Sequence, residues 1–168
     1  MDDPEHLVMQ HFVASMRVTG VSGDAEVYEK HRDALTSFAR VLVGRADAPD
    51  VVSAVVTRLL ASGRSLVDLR EARSYLMRAV LNESRSVLRK RREVAETDQA
   101  IYDPEYDDRV INAVAGLPAR QRAVTFLAYW QEMTSTEIGE LLGMRPATVR
   151  RYLHLAREKL RGVLDVDQ

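Results

Sequence analysis

Between Arg145 and His154 the chain reads "RPATVRRYLH", which places three arginines, Thr148 and His154 on or just before the first turns of one expected helix. Arginine at such a place has a definite chemistry. Its planar guanidinium donates two parallel hydrogen bonds to a guanine edge, worth roughly 1–3 kcal/mol of discrimination for a good pair. That chemistry needs a brace, and the preceding residues supply one. Thr134 with Glu137 three residues later forms a capping box. Gly143 supplies a turn, and Pro146 takes an early helical position. Ile138, Leu141 and Leu142 are expected to face Val149, Leu153 and Ala156, which leaves Thr148, Arg150, Arg151 and His154 pointing outward. A short helix packed across a second one in this way is a helix-turn-helix. The end at Thr134–Thr136 adds hydroxyls and free backbone N–H groups suited to phosphates. The plainer alternative is an αα-hairpin with a solvated basic face.

A second constellation is electrostatic. Residues 70–92 carry eight Arg/Lys against two Glu, and residues 93–108 carry seven acidic side chains and no basic one, although the whole chain nets only −1. Such blocks mark a polyanion-binding face beside an acidic tether; the alternative is a solvated helix followed by a solvated loop. Catalytic constellations are not found. His6, His11, His31 and His154 are scattered, and no phosphate-cradling glycine loop or Ser-His-Asp pattern occurs. Asp103, Glu105, Asp107 and Asp108 can attract Mg²⁺ weakly, but carboxylates in a tether ordinarily face water. The reading is therefore of a non-enzyme with no cofactor and no metal.

These residues need elements to hold them. With 168 residues, 46% hydrophobic and 29% charged, the chain has a soluble globular composition with room for one domain or two small ones. No apolar run approaches the roughly 20 residues of a membrane helix. The start "MDDPEHLVMQ" is acidic and unlike a secretory signal. Cysteine is absent, which removes disulfides and thiolate sites. Together these make a cytoplasmic location the expectation.

Helical spacing runs nearly throughout, without convincing strand alternation. Residues 5–18 (Leu7, Val8, Phe12, Val13, Met16) form an expected amphipathic helix, broken at 21–24. A helix follows over 25–44, then one with Asp47 as cap and Pro49 in its first turn, ending near Gly63. The loop Gly63–Leu69 leads into a long helix at 70–92. In the C-terminal part, a helix ends at Gly116, Pro118 opens the next, and the last runs from Pro146 to about Leu160. The fold expected is all-α: two small helical domains, 22–92 and 107–164, joined by an acidic linker at 93–106, with an extension at 1–21 and a tail at 165–168.

The stretch "VAGLPARQRAVTFLAYWQEMTSTEIGELLGMRPATVRRYLHLAREKLRGVL" closely resembles region 4, the C-terminal promoter-recognition domain of extracytoplasmic-function (ECF) sigma factors. Leu117-Pro118, Arg120-Gln121-Arg122, Glu137-Ile138, Gly143 and Thr148-Val149-Arg150 fall where that family keeps them. "HRDALTSFARVLVGRADAPDVV" and "ARSYLMRAVLNESRSVLRKRR" are similar to the same family's region 2. The resemblance spans about residues 22–164.

It implies a protein that binds core RNA polymerase and directs it to promoters. The −35 element would be read by Arg145, Thr148, Arg150, Arg151 and His154, with Ser135 and Thr136 at the backbone. The −10 element would be opened by the loop 63–69 and by Tyr75 and Asn82, with Arg78, Arg85, Arg89, Lys90, Arg91 and Arg92 tracking phosphates. Tyr75 either stacks on a base or belongs to the core, and Asn82 either reads a base edge or bonds its own helix. The helix at "DVVSAVVTRLL" would dock on the clamp of the polymerase largest subunit through Asp50, Ser53, Ala54 and Arg58, while region 4 meets the flap. Relatives usually have a Gln-Glu pair and an aromatic where this chain has Ser53, Ala54 and Val56, and a small hydroxyl cap where it has Arg145. The acidic linker either stands in for nucleic-acid phosphates near the active centre or is a plain tether. Many relatives are held by an anti-sigma protein, a partner the resemblance allows for here; no membrane is implied. Two other readings stay open: an operator-binding regulator that works without polymerase, and a sigma-like protein that does not itself initiate transcription.

Overall fold

A computed structural model describes residues 22–94 and 113–165, and every described element is helical. In chain order these are α1 (Ser22–Val43), α2 (Ala48–Ala61), α3 (Ala72–Val94), a helical turn at 113–115, α4 (Ala119–Tyr129), α5 (Ser135–Leu142) and α6 (Pro146–Asp165). The expected helix at 5–18 and nearly all of the acidic linker lie outside the described residues.

The N-terminal set packs α1, α2 and α3 against one another. Val51, Val52, Val55, Val56 and Leu59 put an aliphatic stripe of α2 on the buried side, where it meets Leu35, Phe38 and Leu42 of α1 and Leu76, Met77 and Val80 of α3. Tyr28 is fully buried in the same core, and burial pushes its phenol well above the ordinary range. Gly44, with φ 89, turns the chain between α1 and α2. Asp47 sits at the expected cap position of α2, but its side chain makes no cap bond. Its carboxylate instead pairs with Arg91 of α3, which also donates to Val43 O at 3.2 Å. A tertiary ion pair has displaced the local cap.

Two boundaries move from their expected places. The sequence at 21–24 reads as a break, yet α1 already begins at Ser22. Gly23 is small enough there to let Val67 approach, since a Cβ on Gly23 would lie 2.7 Å from Val67 Cγ2. The long basic helix starts at Ala72 rather than 70 and continues to Val94, and α6 runs past Leu160 to Asp165.

The C-terminal set packs α4, α5 and α6 together. Val149 and Leu153 of α6 join Ile138, Leu141 and Leu142 in one buried cluster, as the spacing predicts. Ala156 does not: one further turn along, it packs with Val114 and Leu117, so the helical turn at 113–115 rather than α5 covers that end of α6.

The two sets are not separate in this arrangement. α4 lies on α1, α5 reaches α3, and buried residues of both sets form one continuous apolar cluster. Phe38 of α1 stacks on Phe126 of α4 with ring centroids 5.3 Å apart, and Phe126 stacks on Trp130 at 5.9 Å. Offset ring pairs of this kind contribute about 0.5–1.5 kcal/mol beyond their buried area.

Candidate nucleic-acid interface

The recognition hairpin is built from its turn outward. Thr134 Oγ1 accepts from Glu137 N at 3.3 Å, while Thr134 N and Oγ1 both donate to Glu137 Oε2 at 2.7 Å, which completes the capping box. The hydroxyl bond, and then the backbone bond, holds the Glu137 carboxyl below its ordinary range. Gly143 ends α5 in the left-handed conformation (φ 66, ψ 41), which a side chain resists. Gly139 lets the turn close over it: a Cβ there would stand 2.6 Å from Met144 O. Pro146 then opens α6, and Arg145 O accepts the first helical bonds from Thr148 N at 2.9 Å and Val149 N at 3.2 Å.

With Val149 and Leu153 buried, α6 has a fixed rotation about its axis. Arg145, Arg150, Arg151 and His154 are exposed and Thr148 is half-buried beside them. His154 Nε2 lies 3.5 Å from Glu158 Oε1. Across the turn, Thr136 is exposed and Ser135 half-buried at the N-terminus of α5. Every residue expected at the −35 element therefore lies on this hairpin, and none of them is buried. Arg157, not singled out from sequence, donates from Nε to Tyr129 Oη at 2.6 Å and lies over that ring.

On α3, Arg78, Asn82, Arg85 and Arg89 recur at helical spacing and are all exposed, forming one stripe. Lys90 is exposed beside it. Arg91 is exposed too, but it is the partner of Asp47 and Val43 O just described. The Arg92 side chain lies outside the described residues. Tyr75 is half-buried and packs against the core, so the core placement is the one observed.

The loop ahead of α3 is held by a residue the sequence did not flag. Asp24 of α1 is buried and accepts from Ser65 Oγ at 2.7 Å and Val67 N at 3.0 Å through one oxygen. Leu66 is buried as the loop's anchor, while Val67 is 58% exposed. No local pattern announces a bond across 41 residues, so only the folded chain reveals it. Asp24→Ala removes both bonds and leaves the Val67 amide seeking water. The expected result is faster hydrogen exchange at 65–67 and a stability loss of about 1–3 kcal/mol, checked by exchange mass spectrometry and urea melts.

On α2, Asp50 and Ser53 are exposed and Ala54 is half-buried. Arg58 donates to Glu83 Oε2 of α3 at 2.6 Å, so it is positioned rather than free. Val56 is buried, which makes the departure at that position a matter of packing and leaves Ser53 as the exposed one. Among the described residues no three His, Cys, Asp or Glu side chains gather as metal ligands, and no helix is long and apolar enough to cross a membrane.

Residues 107–160 match the family model "Sigma-70, region 4", which spans the whole recognition hairpin. The RNA polymerase sigma-E factor of Streptomyces coelicolor is 31% identical over 149 residues, covering 83% of this chain and 84% of that protein. The ECF RNA polymerase sigma factor SigL of Mycobacterium tuberculosis is 31% identical over 154 residues, covering 82% of this chain and 86% of its own. The chain belongs to the ECF family of RNA polymerase sigma factors. Its fold is the family's as well. The sigma factor RpoE of Bartonella quintana, solved in complex with the anti-sigma factor NepR, superposes with a TM-score of 0.68 over 85% of this chain and 97% of that one, at 22% identity. The structure of CnrH in complex with the cytosolic domain of CnrY gives a TM-score of 0.63 over 94% of this chain and 97% of that one, at 24% identity. As an ECF sigma factor the protein acts with core RNA polymerase on promoter DNA.

Proposed function

We propose a division of labour along the chain: residues 22–92 as the region 2 unit that docks on polymerase and opens the −10 element, 93–106 as the acidic connection, and 107–164 as the unit that reads the −35 element. The observation that carries this reading is the presence of two exposed basic faces on one chain. One is the braced recognition helix α6, with Arg145, Arg150 and Arg151; the other is the stripe of Arg78, Asn82, Arg85 and Arg89 on α3. An operator-binding regulator needs the first face and leaves the second without a role. In this reading α6 enters the major groove and its arginines read base edges. The α3 stripe neutralises backbone phosphates while a base leaves the stack, a step that costs a few kcal/mol. The protein acts by positioning and carries out no chemistry of its own, in the cytoplasm where polymerase works. The anti-sigma complexes of RpoE and CnrH support an anti-sigma protein as a partner here.

The test is run-off transcription by core polymerase, with and without this protein, on templates carrying its own promoter. New start sites that depend on the protein are expected; unchanged starts would sink the reading. One observation favours a second reading, a sigma-like protein that occupies polymerase without initiating: exposed Ser53 and half-buried Ala54 stand where the family resemblance implies a Gln-Glu pair. In that case the protein would co-purify with polymerase and yield no transcript.

The basic run at the end of α3 separates into two roles. Arg89→Ala with Lys90→Ala is expected to reduce the slope of log K against log salt by about 1.4 for single-stranded −10 DNA, at roughly 0.7 per phosphate contact. Arg91→Ala is expected to leave that slope nearly unchanged and to lower thermal stability, because its guanidinium is engaged by Asp47 and Val43 O. Equal slopes for the two variants would count against the split. Binding isotherms between low and physiological salt give the answer.

A further inference from the structure

The loop at 63–69 hides one apolar side chain and displays the next. Leu66 is buried, whereas Val67 is 58% exposed, and Leu60 at the end of α2 is 38% exposed. These are two of the four large hydrophobic residues exposed among the described residues, and both line one groove of about 410 Å³ with Arg64 and Ser65. Gly23 and Asp24, in the first turn of α1, form its other wall. Val67 lies so close to that turn that a Cβ on Gly23 would stand 2.7 Å from its Cγ2. Asp24 holds the loop from beneath through Ser65 Oγ and Val67 N, so the groove is built into the fold. Apolar side chains gathered on the rim of a fixed concavity mark a seat for a partner.

The chain itself supplies an occupant at the groove's edge. Residues 1–21 lie outside the described residues and enter α1 at Ser22, next to Gly23 of the groove wall. Within them the sequence predicts the amphipathic helix 5–18, with Val8, Phe12 and Met16 at i, i+4 and i+8. A helix of that length spans about 21 Å, and residues 19–21 reach at most about 10 Å, so its apolar side cannot stray far from Val67. Charge agrees. Arg73 donates to Gln131 O and Arg78 to Glu140 O, but the exposed Arg64 guanidinium has no partner among the described residues. The segment brings Asp2, Asp3 and Glu5.

We propose that residues 5–18 dock in this groove, covering Leu60 and Val67 with the face of Val8, Phe12 and Met16 and placing acidic residues near Arg64. Laying an amphipathic helix into an apolar groove is a recurring mode of recognition. Here the tether makes it intramolecular, at an effective concentration on the order of millimolar, so the attached segment outcompetes a second copy that offers the same side chains. The docking stands on the groove and the tether alone. Its consequence rests on the reading of the loop given above: a −10 strand meets the same residues, so segment and strand exclude one another there.

The chain has no cysteine, so Ser15→Cys with Asp68→Cys in the full chain permits one bridge between segment and loop, made with a short bifunctional methanethiosulfonate reagent. The expected product is a bridge within one chain. Its rate of formation should fall about ten-fold when Phe12→Asp is added, and equally when the exposed Val67→Asp is added from the groove side. Equal rates in all three proteins would show only random collisions of a tethered segment and overturn the docking. A dimer-sized product as the main species assigns the groove to a second copy and overturns it too. Phe12→Asp without the cysteines is then expected to bind a single-stranded −10 oligonucleotide about three- to ten-fold more tightly than the native chain, because the competent form is no longer withheld. Slower bridging with unchanged strand affinity keeps the docking and overturns the competition. Failure of both chains to bind the strand removes the −10 reading of the loop, and the docking is then decided by the bridging rates.

Discussion

Arg150→Ala is expected to lower affinity for the cognate −35 duplex by about 5- to 150-fold, which corresponds to the roughly 1–3 kcal/mol carried by one good bidentate contact. The geometry argues for a direct base contact. Val149 is buried against Ile138 and its neighbours, so the adjacent Arg150 is turned away from the core. Its guanidinium has no partner among the described residues, and no internal bond must break before it enters a groove. Two signatures separate base reading from phosphate binding. Loss of a base contact relaxes preference at one base pair and leaves affinity for a scrambled duplex nearly intact. Loss of a phosphate contact weakens both duplexes equally and lowers the salt slope by about 0.9. Because Arg150 is exposed, the melting temperature should not move. A footprint and base preference identical to those of the native protein would remove Arg150 from the groove.

That hairpin was legible in the sequence because its determinants are local. The Thr134–Glu137 capping box, the left-handed Gly143 and the spacing of Ile138, Leu141, Val149 and Leu153 all act within about one helical turn, and each is found as expected. What was illegible depends on contacts between distant residues. Asp47 carries the composition of a cap, but Arg91 claims its carboxylate. Asp24 looks like part of a helix break and instead pins the loop at 63–69. Tyr75 fits either stacking or packing on periodicity alone, and only the folded core decides. The seam between the sets left no periodic trace, since Arg73 and Arg78 read simply as members of a basic run. Charge pattern gives the sign of a face but not which of its cations are already engaged.

Arg122→Met is expected to cost about 3 kcal/mol, the scale for breaking charge-assisted hydrogen bonds in a buried site. From sequence, Arg122 is one letter of a family motif; in the fold it is a buried arginine that links segments. Its Nη1 donates to Ala115 O at 2.8 Å and its Nη2 to Leu42 O at 3.3 Å. Both acceptors close helical segments, where carbonyls lack intrahelical donors and carry the negative end of the helix dipole. Methionine fills similar space but donates nothing, so the carbonyls must find water through a packed core or remain unpaired. At roughly 2–4 °C per kcal/mol for a chain of this size, the melting temperature should fall by about 6–12 °C. Arg122→Lys tests the geometry: one ammonium cannot span two carbonyls as a planar fork does, so it should recover only part of the loss. The bond to Ala115 O stays within the C-terminal set, whereas the bond to Leu42 O crosses to α1. Arg122→Met should therefore loosen the seam as well as the C-terminal core, and Trp130 emission should change at temperatures below the main unfolding transition. A single cooperative transition at the native temperature would show that water satisfies both carbonyls and that the fork contributes little.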